Sequence, residues 1–194
     1  MEFPVKLQFK IAALAPQISV IDANGQTVFY VKQKLFKLKE AITVFSDSSQ
    51  TTPLYYINAD RVNDFSASYD FTDTNGIQFG SVKRKGRRSI WRAHYEIFDD
   101  VGLVASIEEE NAWAKVGDAL FGEIPVIGIL SGYVFNPTYR VTRPDGTVIV
   151  RIKKQPALFE SNFTIEEAID ISEASEVRTV LAILMMTLLE RARG

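Results

Sequence analysis

Thr179 to Leu189 reads TVLAILMMTLL, eleven residues in which only Thr179 and Thr187 interrupt a sequence that is apolar on every face of a helix. A helix hydrophobic all round must be buried all round, in lipid or in protein. Crossing about 30 Å of hydrocarbon takes roughly 20 apolar residues, whereas this stretch covers only about 16 Å at ~1.5 Å per residue. Arg178 stands directly before it, and Glu190 and Arg191 directly after. The helix is therefore expected inside protein, and the rest of the chain must supply its walls.

That remainder reads as strands. Alternating runs rich in Val, Ile, Phe and Tyr lie at Lys6 to Ile11, Gln17 to Ile21, Thr27 to Val31, Ala41 to Phe45, Leu54 to Ile57 and Ser66 to Phe71. Others lie at Ile77 to Val82, Ile90 to Phe98, Leu103 to Ile107, Tyr139 to Val141, Val148 to Ile152 and Leu158 to Phe163. Period-two patterning of this kind marks half-buried strands. The turns between them repeat. Asn24-Gly25, Asn75-Gly76 and Asp145-Gly146 are pairs that accept positive φ. Apolar residues follow each (Val28 and Val31, Phe79 and Val82, Ile149 and Ile152), and then a basic strand end. A weaker copy from Asp100-Val101-Gly102 ends on Glu108, Glu109 and Glu110 instead. A hairpin written several times predicts a meander that closes on itself. The expected fold is mainly β: one domain over residues 1–194, a closed antiparallel barrel of roughly twelve strands enclosing a central hydrophobic C-terminal α-helix.

Three segments depart from the strand habit. Glu110 to Leu120 is read as a short helix with Trp113, Val116 and Leu120 on one face. Phe121 to Phe135, punctuated by Gly122, Pro125, Gly128 and Gly132, is read as an irregular connection over one end of the barrel. Thr164-Ile165-Glu166-Glu167 has the capping-box pattern and predicts a short helical turn. The main helix follows, capped by Ser172 or Ser175. Its acidic start (Glu173, Glu176) and basic end (Arg191, Arg193) complement the macrodipole.

The composition narrows the function classes. With 194 residues, 46% hydrophobic and 24% charged, the chain has material for a real core. A net charge of −2 speaks against coating nucleic acid, and no nucleic-acid partner is expected. The absence of cysteine removes disulfides, thiolate metal sites and cysteine nucleophiles. Met1-Glu2-Phe3-Pro4 does not open a secretory signal, so a cytoplasmic protein, peripheral to membrane at most, is expected.

The pattern resembles the LURP-one-related family, and more broadly the tubby C-terminal-like superfamily that includes the phospholipid scramblases. The residues carrying the resemblance are Val20-Ile21-Asp22-Ala23-Asn24-Gly25 with Val28-Phe29-Tyr30-Val31-Lys32-Gln33-Lys34. Gly80-Ser81-Val82-Lys83-Arg84-Lys85 with Ile90-Trp91-Arg92, and the apolar C-terminal helix, add to it. The resemblance implies a twelve-stranded barrel around a central helix. It also implies lipid as a ligand class, since tubby domains bind phosphoinositides through basic residues and scramblases act on phospholipids. The cysteine-rich and proline-rich segments of scramblases are missing here.

The candidate site is basic. Lys83-Arg84-Lys85-Gly86-Arg87-Arg88 suits anionic headgroups, each cation near a membrane adding about 1 kcal/mol. Lys32, Lys34, Lys37 and Lys39, and Arg151, Lys153 and Lys154, extend it to a rim if equivalent strand ends come together. Two readings stand: a non-enzymatic domain binding anionic phospholipid or phosphoinositide through this rim, or a protein-interaction scaffold whose cations serve solubility and guard strand edges. The partner is accordingly an anionic membrane surface or another protein, with the oligomeric state open. No catalytic residue, metal site or cofactor is expected. Asp22 and Asp73 start calcium-like loops, but the twelfth positions are Gln33 and Arg84 where glutamate is needed. His94 is the single histidine, and the carboxylates at Asp99-Asp100 and Glu108 to Glu110 are sequence neighbours that a strand points to opposite faces.

Overall fold

The computed structural model describes residues 1–10, 17–32, 41–61, 67–85, 94–110, 138–155 and 162–191, and among these described residues twelve strands and one helix follow one another. The strands are β1 (Val5–Lys10), β2 (Gln17–Ile21), β3 (Thr27–Lys32), β4 (Ile42–Phe45), β5 (Pro53–Ala59) and β6 (Ser68–Asp73). They continue with β7 (Gln78–Arg84), β8 (His94–Phe98), β9 (Leu103–Glu109), β10 (Thr138–Thr142), β11 (Val148–Gln155) and β12 (Asn162–Glu167). The helix, α1, is Glu173–Arg191. Each strand runs antiparallel to its sequence neighbours, and β1 pairs with β12 from Val5↔Ile165 to Gln8↔Asn162, closing the barrel. Closure leaves no free sheet edge, the standing hazard of an open meander.

The expected strands hold their places with one exception. The last lies at Asn162–Glu167, not Leu158 to Phe163, and it takes in the segment read as a helical turn. Thr164 to Glu167 matches a capping box only locally. Ile165 is fully buried opposite Ile152, and the strand is paired on both sides, by β1 and by β11. A helical turn there would strand the backbone donors and acceptors of two neighbours. Of the run from Ile90, residues 90–93 lie outside the described residues, as do residues 111–137, on which the expected short helix and irregular connection fall.

The repeated hairpin is real in atomic detail. Gly25, Gly76 and Gly146 have φ of 79°, 81° and 89°, and the partner residue of each pair does not share the positive φ. In each turn the glycine N–H donates three residues back, to the carbonyl of Asp22, Asp73 or Arg143, at 2.9–3.1 Å. A register shift follows at Val20/Ile21, Phe71/Thr72 and Val141/Thr142. This is a type I turn closed by a left-handed glycine bulge. The expected inward set holds at the residue six after each glycine (Val31, Val82, Ile152), which is fully buried, and at Ile149; the bulge leaves Val28 and Phe79, at the position of Ile149, packing only partly against the core.

Inward residues of all the strands join α1 in one apolar cluster, among them Leu7, Val20, Phe29, Val44, Ile57, Phe71, Ile107, Val141 and Ile165. Every residue from Thr179 to Leu188 is buried, so the helix is enclosed on all faces. Thr187, which interrupts the apolar stretch, donates its hydroxyl to the Leu184 carbonyl at 2.7 Å and brings no unpaired polar atom into the core. Ser172 caps α1, its Oγ accepting from the Ser175 N–H at 3.4 Å. Among the described residues no helix is long and apolar enough to cross a membrane.

An up-and-down meander sends alternate connections to opposite ends. The turns β2–β3, β4–β5, β6–β7, β8–β9 and β10–β11, the link from β12 to α1 and the start of β1 define one end, the turn end. Strands β1, β3, β5, β7, β9 and β11 finish at the far end, where α1 also finishes.

Candidate functional site

Charge divides along this axis. The described turns carry Asp22, Asp47, Asp73, Asp99, Asp100 and Asp145, and the link into α1 adds Asp170. Among the described residues, Arg143 is the single cation in those turns. Most of these carboxylates are there for a structural reason. Asp22, Asp73 and Asp99 each aim Oδ1 at two N–H groups of their own turn, at 2.8–3.0 Å. Those N–H bonds hold the Asp73 and Asp99 carboxyls below the ordinary range, and the Thr147 N–H does the same for Asp145. The calcium-like loops are thus aspartate-capped turns.

Cations mark the far end. Lys10, Lys32, Arg84 and Lys153 lie at the ends of β1, β3, β7 and β11, and Arg61 follows β5. Strand β9 instead ends on Glu108 and Glu109. Lys32, Lys83 and Lys153 hold one equivalent position, seven residues after Gly25, Gly76 and Gly146. Their strands β3, β7 and β11 are each four apart in the ring, so the three basic ends stand at thirds of the rim and form no single pocket. Lys34, Lys37, Lys39, Arg87 and Arg88 fall outside the described residues.

The individual cations differ. Lys85 Nζ is 2.7 Å from Glu96, which holds its ammonium above the ordinary value, and Lys153 Nζ is 2.7 Å from Glu166. Arg151 Nε is 3.6 Å from Glu110 Oε1, and Arg140 and His94 both reach Glu108, at 3.6 and 3.2 Å. Among the described residues, no carboxylate lies within ion-pair distance of Lys32, Lys83 or Lys154. Arg84 is unlike the rest. It continues the inward parity of Val82, is 8% exposed, lies over the Tyr95 ring and sits 3.7 Å from Glu190.

Sequence reasoning missed two arrangements. At the far end, Tyr95 donates its hydroxyl to Glu190 at 2.5 Å, giving the last turn of α1 a polar anchor. Burial and then the Glu190 charge hold that hydroxyl far above its ordinary pKa. At the turn end, Arg178 donates Nε to the Phe79 carbonyl at 3.0 Å, with Nη1 3.8 Å from Asp99. Its stem occupies the space a side chain at Gly80 would fill, a Cβ there falling 2.9 Å from Arg178 Cδ and Nε. The available signal was a broken repeat: four residues after the turn glycine stand Phe29 and Val150, and Gly80 between them.

The molecule is thus a closed antiparallel barrel filled by its own C-terminal helix, with aspartate-rich turns at one end and, at the other, basic strand ends among which Asp60, Glu108, Glu109 and Glu190 also stand. It belongs to the LURP-one-related family, whose profile matches residues 27–189, most of the chain. No curated protein and no solved structure is similar enough to this chain to match it.

Proposed function

We propose that this domain is a non-enzymatic, membrane-peripheral module whose far end meets an anionic phospholipid surface end-on. The observation that carries this reading is the separation of charge along the barrel axis. Cations at thirds of a rim suit a plane poorly concentrated in any one ligand, whereas a single phosphoinositide headgroup would need them convergent. A membrane is such a plane. The contacting side chains in this reading are Lys32, Lys83 and Lys154, joined by Lys34, Arg87 and Arg88 from the adjoining sequence, and backed by Lys85 and Lys153. Arg84, buried against the Tyr95 ring and beside Glu190, takes no part. The resemblance to lipid-handling tubby-like proteins supports the same ligand class.

A second reading, a protein-interaction scaffold, is favoured by the carboxylate partners of Lys85, Arg151 and Lys153, which mark those cations as cross-strand pairs on the barrel wall. Co-sedimentation with phosphatidylcholine vesicles, with and without phosphatidylserine, separates the two. The membrane reading expects pelleting only with the anionic lipid. It also expects the triple variant Lys32→Gln, Lys83→Gln, Lys154→Gln to lose roughly two orders of magnitude in partitioning, at about 1 kcal/mol per cation. Wild-type protein left in the supernatant with anionic vesicles at low salt would leave the scaffold reading standing.

A further inference from the structure

At the opposite end of the barrel, a cavity of about 220 Å³ lies between the first turns of α1 and strands β8, β9 and β11. We propose that it is a binding site for a small aliphatic monocarboxylate, a site independent of the membrane reading. Its walls are apolar where Ile97, Val104, Ala105 and Ile149 line it, and polar where Arg143, Arg178, Ser175 and Asp99 do. The volume exceeds the ~150 Å³ of an engineered cavity known to hold benzene, so an acid of about six to eight heavy atoms fits.

Arg178 gives the site its directionality. The missing side chain at Gly80 admits its stem, and the Phe79 carbonyl fixes Nε, so the guanidinium is held before any ligand arrives. Its terminal nitrogens make no hydrogen bond among the described residues; Asp99 Oδ2 faces Nη1 at 3.8 Å, an ion pair outside hydrogen-bond distance. A fixed planar fork whose terminal N–H groups are not yet hydrogen-bonded is suited to a carboxylate. Arg143 at the mouth is exposed and, among the described residues, has no ion pair. Two guanidinium groups against one carboxylate leave a single positive charge, which matches a monoanion. A dianion would carry the site past neutrality; Glu176, next to Ser175 in α1, is already engaged by the Met1 amine at 2.9 Å. The apolar wall takes the aliphatic tail, as in small-molecule sites generally, where a few polar groups orient a mostly apolar ligand.

The test is titration of the full chain with pentanoate, its uncharged isostere pentanamide, and sodium chloride at matched ionic strength, read by thermal shift and by amide NMR. Pentanoate is expected to raise Tm with concentration and to move resonances of Arg143, Ser175 and Arg178, while pentanamide and chloride do neither. Arg143→Gln should fold with unchanged Tm and bind about tenfold more weakly, the scale of one charge-assisted hydrogen bond. Ala105→Leu, which fills the cavity and keeps both arginines, should abolish the response. An equal effect from chloride or pentanamide, or a full response in Ala105→Leu, overturns the proposal.

Discussion

Gly80 and Arg178 pack against each other at the turn end of the barrel. Adding one methyl at Gly80 places a carbon 2.9 Å from the Arg178 side chain and 2.9 Å from the Phe98 carbonyl oxygen, and the latter is backbone that cannot swing away. Gly80→Ala is therefore expected to lower stability by about 1–3 kcal/mol, the range for overpacking, measured as a shift in the urea midpoint. Gly25→Ala meets open space, and its penalty, about 1 kcal/mol, comes only from the positive φ. The turn aspartates act through pH. The carboxyls of Asp73, Asp99 and Asp145 lie below their ordinary values in the folded chain, so their contribution is present above the unfolded carboxylate pKa near 4. It disappears as pH falls through the lower folded values. Tm should hold level from neutrality to about pH 5 and drop below about pH 4, and the double variant Asp73→Asn, Asp99→Asn should show a shallower acid limb. A limb of unchanged steepness would mean that other carboxylates govern acid unfolding. The turns at Asn24-Gly25, Asn75-Gly76 and Asp145-Gly146 were legible in the sequence as local turn chemistry, but the capping role of the aspartates was not: Asp22 and Asp73 looked like calcium-loop starts and Asp99 like a strand residue. The Arg178 cradle was not legible either, because its two halves are 98 residues apart and Gly80 on its own looks like a weak spot in a strand.

At the scale of the element, α1 was legible from composition alone because complete burial leaves no polar face to disguise. Its enclosure makes a sharp prediction. Leu184 has no exposure, so Leu184→Asp must bury an unpaired charge and should give no cooperative thermal transition. Leu184→Met, nearly equal in volume, should cost less than about 1.5 kcal/mol. A Leu184→Asp protein that melted cooperatively near the wild-type temperature would be incompatible with a helix walled in by the sheet. The last strand shows where local reading fails. Thr164 to Glu167 carries a helix-start pattern and a period-two pattern at once, and nothing in those four residues chooses between them. The choice is made by β1 and β11, which need a partner on each side. Pairing across the closure of a barrel is a long-range demand that overrides local propensity. The helix anchor at the far end is equally non-local. Tyr95→Phe removes the hydroxyl from the Glu190 carboxylate, and an expected loss of about 1.5–3 kcal/mol reflects a hydrogen bond to a charged group.

For the whole molecule, the repeat explains both what the rim is and what it is not. The hairpins at Gly25, Gly76 and Gly146 have the same turn, bulge and inward position, and so carry a lysine at the same register, but their strands stand four apart in a twelve-stranded ring, a third of the way round from one another. The sequence carried the equivalence of these lysines; their dispersal depended on ring closure, which no local pattern encodes. Basic strand ends, interrupted at β9 by Glu108 and Glu109, opposite a ring of aspartates give the barrel an electrical axis although its net charge is only −2. Such an axis selects orientation as well as attraction, because turning the molecule over presents acids to the same surface. The absence of cysteine makes this directly measurable, since any introduced thiol is unique. An environment-sensitive dye on Gln155→Cys, at the far end of β11, should shift to the blue on vesicles containing phosphatidylserine. The same dye on Ser49→Cys, in the β4–β5 turn, should not. Both signals should return to their free values as salt rises toward 1 M, where screening shortens from about 10 Å at 0.1 M to about 3 Å. Equal shifts from the two labels would mean that the barrel lies on its side, and that the polarity of its ends does not decide how it meets a membrane.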